Sequence, residues 1–570
     1  MSGRPPAGRV IALFASFMLA LAGVAIRLVV LSVRDAPAYA ALADAQRLRR
    51  IELPAQRGTI FDRSMRELAL SVPARAVYAD TRYVTDPVTT ASEMGPFLDV
   101  PRRELIPLLS SGDPFVYLAR RVDLAVAKRI DRLDLPGIGF LEESKRYYPG
   151  QSLGAQLLGF VGLDGNGLEG VELQYDDVLA GAPGQMLIEQ SRDGVSIPQG
   201  ARAETDPRAG SDLVLTIDAQ LQYQVEQALA DAVEANGAKG GMVIAMDPAT
   251  GDVLAMATAP SFDANAFGDA ATTIRRNRSV TDVYEPGSVN KVITAAAALE
   301  EGVIGLDEKL SVPDKYRVAD RWFHDSHHHP TQAMTLTDVI AESSNVGTIM
   351  TAERLGKQTL DAYLHAFGFG RETGIGLPGE ADGILMPEDE WWGTSMGTIP
   401  IGQGIAVTPL QMVSVFATIA NDGVRVKPRL VRGTVAPEGG LETSPPAARK
   451  PVVSATTANL VTGMLAKAVE SGTGQEAQVP GYWVAGKTGT ARKPLENELG
   501  YSDQYVASFI GFAPASDPAV VVAAILDEPE TVYGGVAAAP LFSQIMGFAL
   551  AHLHVPTADR PPTPPSLLEG

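Results

Sequence analysis

No cysteine occurs anywhere in the 570 residues. That absence removes disulfides, thiolate nucleophiles and cysteine-ligated zinc together, and it leaves the compartment open. Basic clusters are missing as well. Lys and Arg number 47 against 67 Asp and Glu, for a net charge of −20 and a pI near 4.9. No candidate folded region is strongly basic, which argues against a nucleic-acid binder. Apolar residues, in contrast, are plentiful. At 45% they suffice for large cores and exclude general disorder. A chain of this length exceeds one ordinary domain, so two or more folded units are expected.

One long apolar run bears on location. Val10 to Val33 reads VIALFASFMLALAGVAIRLVVLSV. At about 1.5 Å of rise per residue, roughly 20 such residues cross a bilayer core of about 30 Å. Arg27 lies near one end, where its side chain can reach the interface. The rival is a cleaved signal peptide, for which Ala38-Tyr39-Ala40 resembles a cleavage site. A signal-peptide core is only about 7–15 residues, so the run reads as an uncleaved anchor. Flanking charge does not orient it. Arg4 and Arg9 precede the span, and Arg34, Arg47, Arg49 and Arg50 follow it.

After the anchor, ELPAQRGTIFDRSMRELALS (52–71) predicts a strand, a polar turn and a second strand. From Thr81 to Gly200 the chain alternates short amphipathic helices with Gly-rich connections, and no site-like cluster of His, Ser or paired acids occurs there. A composition change at Ala201–Gly210 marks a domain boundary. Beyond it, SDLVLTID reads as a strand and AQLQYQVEQALADAVEAN as an amphipathic helix entered from Asp218. GGMVIAMD and DVLAMATA form a hairpin around Pro248-Ala249-Thr250-Gly251. Three further β-rich runs, YWVAGKTGTA, YVASFIGFA and AVVVAAIL, come only after a long helical stretch. The pattern predicts a mixed α/β domain: one five-stranded sheet, its halves from opposite ends of the domain, with helices on both faces. A last helix spans about Ala539 to Leu553, and a Pro-rich tail, PPTPPS, follows.

The chemistry sits in YEPGSVNKVITAAAALEEG (284–302). Pro286 and Gly287 break the chain, so a helix is expected to start at Ser288 and stop at Gly302. Positions i and i+3 share a helix face, which brings Ser288 and Lys291 together. A buried lysine loses its proton more readily and can serve as a base, and serine is a weak nucleophile without one. The Ser288 backbone N–H, at a helix start, can help to hold an oxyanion. Alone the pair is weak, since Ser-x-x-Lys arises by chance about once in such a length and serine commonly caps helices. Ser343-Ser344-Asn345 falls between two helical runs, and Lys487-Thr488-Gly489-Thr490 falls in a strand. Ser343 can relay a proton and Asn345 can hold a carbonyl. Lys487 offers charge to a carboxylate, and Gly489 leaves room for a ligand backbone along the strand edge. Ser-x-x-Lys, Ser-x-Asn and Lys-Thr-Gly, in this order and context, form the acyl-transfer set of penicillin-binding proteins and β-lactamases.

On these residues the chain resembles the class B penicillin-binding proteins, division type, over nearly its whole length. RGTIFDRSMRELALS resembles a pedestal signature, with Ser64-Met65 where Asn-Gly is usual, and GLEGVELQYDDVLAG (167–181) resembles another. EPGSVNK, SSNVG, GQGIAVTPLQM and AGKTGTA resemble the transpeptidase domain, and DEPETVYGGVAAAPLFSQI (527–545) the septal type. The resemblance implies a cytoplasmic tail at 1–9, a transmembrane helix at 10–33 and an elongated α+β pedestal of the dimerisation type at 36–205. It further implies a penicillin-recognising transpeptidase domain at 210–555, and the Pro-rich composition of 556–570 reads as a flexible tail. Ser288 would attack the penultimate D-Ala carbonyl of a stem peptide, with Lys291 as base, Ser343 as proton relay and Asn345 orienting the stem. Lys487, Thr488, Gly489 and Thr490 would bind substrate, the carboxylate going to Lys487, Thr488 and Thr490. The N–H groups of Thr490 and Ser288 would form the oxyanion hole. No cofactor or metal is implied. WFHDSHHHP (322–330) holds four of the seven histidines without a spaced ligand set and reads as a surface loop. Implied partners are peptidoglycan strands, β-lactams, the membrane, a SEDS-family glycan polymerase and other division proteins. The catalytic domain would lie outside the cytoplasmic membrane.

Two rivals share the motif set. A β-lactamase would need neither anchor nor pedestal, and the class A pattern has a further glutamate for which no residue stands out here. A non-catalytic β-lactam sensor or division scaffold would not need every motif residue, and all are present.

Overall fold

The computed structural model describes residues 7–39, 48–189, 202–495 and 500–557. Of the positions named above, Arg4, Ala40, Arg47, Gly200, Ala201 and the PPTPPS tail lie outside them. The chain divides into two compact units, one from Met1–Gln56 and Gly181–Ala209, the other from Arg57–Ala180 and Gly210–Gly570.

In the first unit a continuous helix runs from Ala7 to Tyr39, 33 residues with no buried member, and an 18-residue window of it has a mean hydropathy of 2.3. Its Val30–Asp35 turn is π-helical. The helix is long and apolar enough to cross a membrane, and it outlasts the Val10–Val33 run at both ends. Leu48–Leu53, Gly184–Glu189 and Arg202–Thr205 form an antiparallel ribbon.

The second unit contains the expected five-stranded antiparallel sheet. Its order is Val253–Ala259, Gly240–Met246, Val520–Asp527, Tyr501–Ala513, Ala485–Pro494. The two sequence halves meet where Ala245 pairs with Val522. Alternate strand residues point to opposite faces. Val243, Ala245, Val522 and Ala524 pack on the helices Ala219–Ala235 and Ala539–His552. Ile244, Met246, Val521 and Ala523 face the helical insertion, where Val292, Phe416 and Val461 meet them. Burial on both faces is why these strands read as unbroken apolar runs. Among the described residues Ala485–Pro494 has a strand on one side only, which leaves the other edge open.

A second, mixed sheet of seven strands joins the N-terminal region of this unit to its remainder. Ile60–Phe61 pairs antiparallel with Glu67–Ala79, the expected hairpin, and parallel with Asp212–Leu215. Val116–Asp123 and Ile138–Tyr147 pair with Glu67–Ala79 as well. These two strands correct the helix-and-loop reading of residues 81–200. Their mostly half-buried residues lack the clean alternation that marks a strand in sequence. At the hairpin turn, Asp62 Oδ1 accepts from the amides of Ser64 and Arg66, and Met65 stands at φ 64°. The two signature stretches meet in the core. Arg57 and Arg146 donate to the two oxygens of Glu172, each at 2.7 Å, and Glu172 is fully buried.

Candidate active site

Ser288 lies in a single 3₁₀ turn, Gly287–Asn290, that feeds the helix Lys291–Glu300. The α-helix thus begins three residues later than expected. Gly287 adopts φ 59°, and this left-handed residue cannot be part of a regular helix. In a 3₁₀ turn i and i+3 eclipse, so Ser288 and Lys291 keep a common face. The helix ends as expected, with Gly302 at φ 64°.

Tight packing holds this turn. A Cβ on Gly402 would lie 2.1 Å from the Gly287 carbonyl oxygen, and one on Gly287 would lie 2.9 Å from that of Thr490. Gly287 N donates to Gly402 O at 3.0 Å, Tyr284 and Val407 exchange backbone hydrogen bonds, and Asn290 Nδ2 donates to Ile399 O at 2.8 Å. The GQGIAVTPLQM stretch is therefore the platform under Ser288. Glu285 Oε1 extends the support, accepting from Gly404 N at 2.9 Å and Tyr501 Oη at 3.0 Å.

Lys291 is fully buried. Its Nζ donates to Ser343 O at 2.6 Å and Asn345 Oδ1 at 2.7 Å, with Ser343 Oγ at 3.3 Å. Among the described residues the Ser288 side chain makes no hydrogen bond, which leaves its hydroxyl free. Burial pulls the Lys291 amine down to about 7, against the opposing charge of Asp325. An amine so placed exchanges its proton near neutral pH.

The Ser343-Ser344-Asn345 segment is shaped for this contact. Ser343 sits at φ 59°, a strained position for a non-glycine residue, and it aims both carbonyl and hydroxyl at Lys291. Ser344 caps the helix Asn345–Leu355 by accepting from Gly347 N. Asn345 Nδ2 donates to His324 O at 3.0 Å, so its Oδ1 faces the amine.

Sequence reasoning missed Asp325. Its loop was expected at the surface, and His324, His327 and His328 are exposed there. Asp325 turns inward instead. Oδ1 accepts from the amides of Asn345 (2.5 Å) and Val346 (2.9 Å), and Oδ2 from Ser344 Oγ (2.7 Å). The only hint available beforehand was general: the first amides of a helix need an acceptor. Among the described residues no cluster of three or more His, Cys, Asp or Glu is placed to hold a metal.

Lys487, also fully buried, lies on the open-edged strand. Burial first, and the Lys291 charge second, hold its amine well below the ordinary lysine range. Thr488 Oγ1 lies 2.9 Å from Thr473 Oγ1, and Thr490 Oγ1 accepts from Gly534 N at 3.1 Å. The space left by the missing Cβ of Gly489 is taken by Ser508 Oγ, 2.3 Å from where that Cβ would be, and by Pro286 O at 3.1 Å. Absence of a side chain there lets the strand press against the Ser288 turn. The three motifs thus meet as the sequence order suggested, Lys291 being shared between two of them.

Comparison with known proteins agrees. Residues 241–547 match the penicillin-binding protein transpeptidase domain, and residues 52–215 match the penicillin-binding protein dimerisation domain. The chain belongs to the class B penicillin-binding proteins. Penicillin-binding protein PbpB of Mycolicibacterium smegmatis is 39% identical, over 90% of this chain and 85% of its own. Peptidoglycan D,D-transpeptidase FtsI of Escherichia coli is 35% identical, over 90% of this chain and 86% of its own. Among solved structures, penicillin-binding protein 3 of Mycobacterium tuberculosis complexed with aztreonam superposes with a TM-score of 0.72. It is 34% identical and covers 89% of this chain and 98% of its own. In this penicillin-binding protein the dimerisation domain precedes the transpeptidase domain in the chain.

Proposed function

We propose that this penicillin-binding protein is a membrane-anchored peptidoglycan D,D-transpeptidase that cross-links stem peptides during septal wall synthesis. The observation that carries the reading is the buried Lys291 amine, poised near neutrality on the face it shares with the free Ser288 hydroxyl. Neutral Lys291 takes the Ser288 proton as Oγ attacks the penultimate D-Ala carbonyl. The oxyanion is held by the N–H groups of Ser288 and Thr490. Collapse breaks the peptide bond, Ser343 passes a proton to the departing D-Ala nitrogen, and an acyl-serine remains. An amine of a neighbouring stem then attacks the ester and restores the serine. Asn345 orients the stem, and the donor carboxylate rests on Lys487, Thr488 and Thr490, its charge drawing a proton onto Lys487. The open edge of the Ala485–Pro494 strand suits an extended peptide.

β-Lactams would acylate Ser288 in the same way. The anchor's N-terminus would lie in the cytoplasm and the catalytic domain outside, with a SEDS-family polymerase and division proteins as partners. Mass spectrometry of penicillin-labelled, digested protein tests the reading. The adduct is expected on Ser288, with slow release; an adduct elsewhere, or rapid hydrolysis of the drug, overturns it.

A further inference from the structure

Of the four histidines between Trp322 and Pro330, His329 alone is largely sheltered, its side chain 12% exposed. Nδ1 lies 2.7 Å from the Pro330 carbonyl oxygen, and Nε2 lies 3.0 Å from Asp325 Oδ2. A carbonyl only accepts, so Nδ1 carries a proton. A carboxylate whose other contacts are all donors likewise favours a proton on Nε2. A ring that donates from both nitrogens is an imidazolium. Asp325 in turn fixes Ser344, Asn345 and Val346, the start of the helix whose residues hold Lys291.

We propose that His329 is a positioning residue for acylation: as an imidazolium it pins and neutralises Asp325, and so sets how readily the site's base gives up its proton. The inference rests on the reading of Lys291 as that base. The Pro330 carbonyl above all, against the pull of burial and with help from Asp325 and Asp314, lifts His329 above the ordinary histidine value. His329 therefore holds its proton more firmly than an ordinary histidine. Asp314 accepts from His329 N at 3.3 Å and lies 3.0 Å from His328 Nδ1, and the Lys291 amine meets the helix start at Asn345 Oδ1. Asp325 favours the charged form of Lys291. Removal of the imidazolium leaves that carboxylate uncompensated, and Lys291 then holds its proton to higher pH.

Acylation of the full-length protein by a fluorescent penicillin, followed across roughly pH 5 to 9, tests this. His329→Gln keeps a donor to Asp325 but no charge. It is expected to move the acidic limb up by about half a pH unit, a roughly threefold slower rate below the limb, while the rates converge at high pH. His329→Lys, charged throughout, should bring the limb back. If His329→Gln slows acylation by one factor at every pH, or leaves the profile as it was, the proposal fails. Lys291→Met run in parallel separates the two claims. If it still acylates, the assignment of the base is wrong. If it is inactive and the His329→Gln limb has not moved, only the role of His329 falls.

Discussion

Two buried clusters of charge lie in the same compact unit, and they are built on opposite rules. Around Glu172, opposite charges are paired. Arg57 and Arg146 each donate at 2.7 Å, Tyr148 Oη lies 3.3 Å away, and Arg57 also reaches Asp176 at 2.6 Å. Around Ser288, like charges are gathered. Lys291 and Lys487 are both fully buried, each amine is brought down by burial, and among the described residues neither contacts a carboxylate directly. The first arrangement fixes charge and joins distant segments. The second keeps a proton loosely held, which is what a base needs and what a stable core avoids.

The comparison breaks most sharply at Lys291. Lys291→Met is expected to cut penicillin acylation by about 10²- to 10⁴-fold, the usual loss for a general base. Stability should not fall with it, because the variant no longer keeps an amine buried in its neutral form. A melting temperature at or above wild type, beside lost labelling, is the expected pair of results. Unimpaired labelling would remove the distinction between the clusters.

Glu172→Ala should do the reverse. It leaves two buried guanidiniums without a counter-charge, at a cost of about 3–5 kcal/mol in stability, read by chemical denaturation. Below its melting point the variant should still acylate at close to the normal rate per folded molecule. A large rate loss with unchanged stability would show that the pedestal cluster acts on the site and not only on the fold.

Titration sharpens the contrast. Acylation should fall about tenfold per pH unit below about 7 as Lys291 takes up its proton. Stability carries the same signature with a definite sign. The folded value is depressed from 10.5 to about 7, so the unfolded chain binds more protons between those limits. This group therefore makes stability rise with pH across that window and contributes no slope below it. Lys291→Met should lack the rise, which denaturation at a series of pH values would measure.

How much of this was legible in the sequence follows from the range of the interactions. The five strands, the hairpin at Pro248–Gly251 and the stop at Gly302 rest on local patterns, and they were readable. So was the common face of Ser288 and Lys291, because a 3₁₀ turn preserves what an α-helix would have given, although the Lys291 amine bonds Ser343 and Asn345 and not Ser288. Val116–Asp123 and Ile138–Tyr147 were not, since their strand character comes from pairing with Glu67–Ala79. Asp325 was hidden for the same reason. Nothing within its own loop shows that its carboxylate will cap a helix 20 residues further on.

The smallest expected effect concerns backbone strain, and each region offers a residue on which to test it. Met65 at φ 64° turns the hairpin that follows Arg57 of the Glu172 cluster, and Ser343 at φ 59° turns toward Lys291. A left-handed non-glycine residue costs about 1–2 kcal/mol, part of which glycine returns through greater unfolded-state entropy. Met65→Gly should therefore raise stability by about 0.5–1 kcal/mol, with acylation untouched, since the half-exposed Met65 side chain holds nothing in the site. Ser343→Gly relieves the same kind of strain but removes the hydroxyl 3.3 Å from Lys291 Nζ, and its rate should fall. Should both variants gain stability and only the second lose rate, the strain at Ser343 is retained for its side chain. Should Met65→Gly gain nothing, the turn is held by the Asp62 hydrogen bonds in a geometry that glycine does not improve.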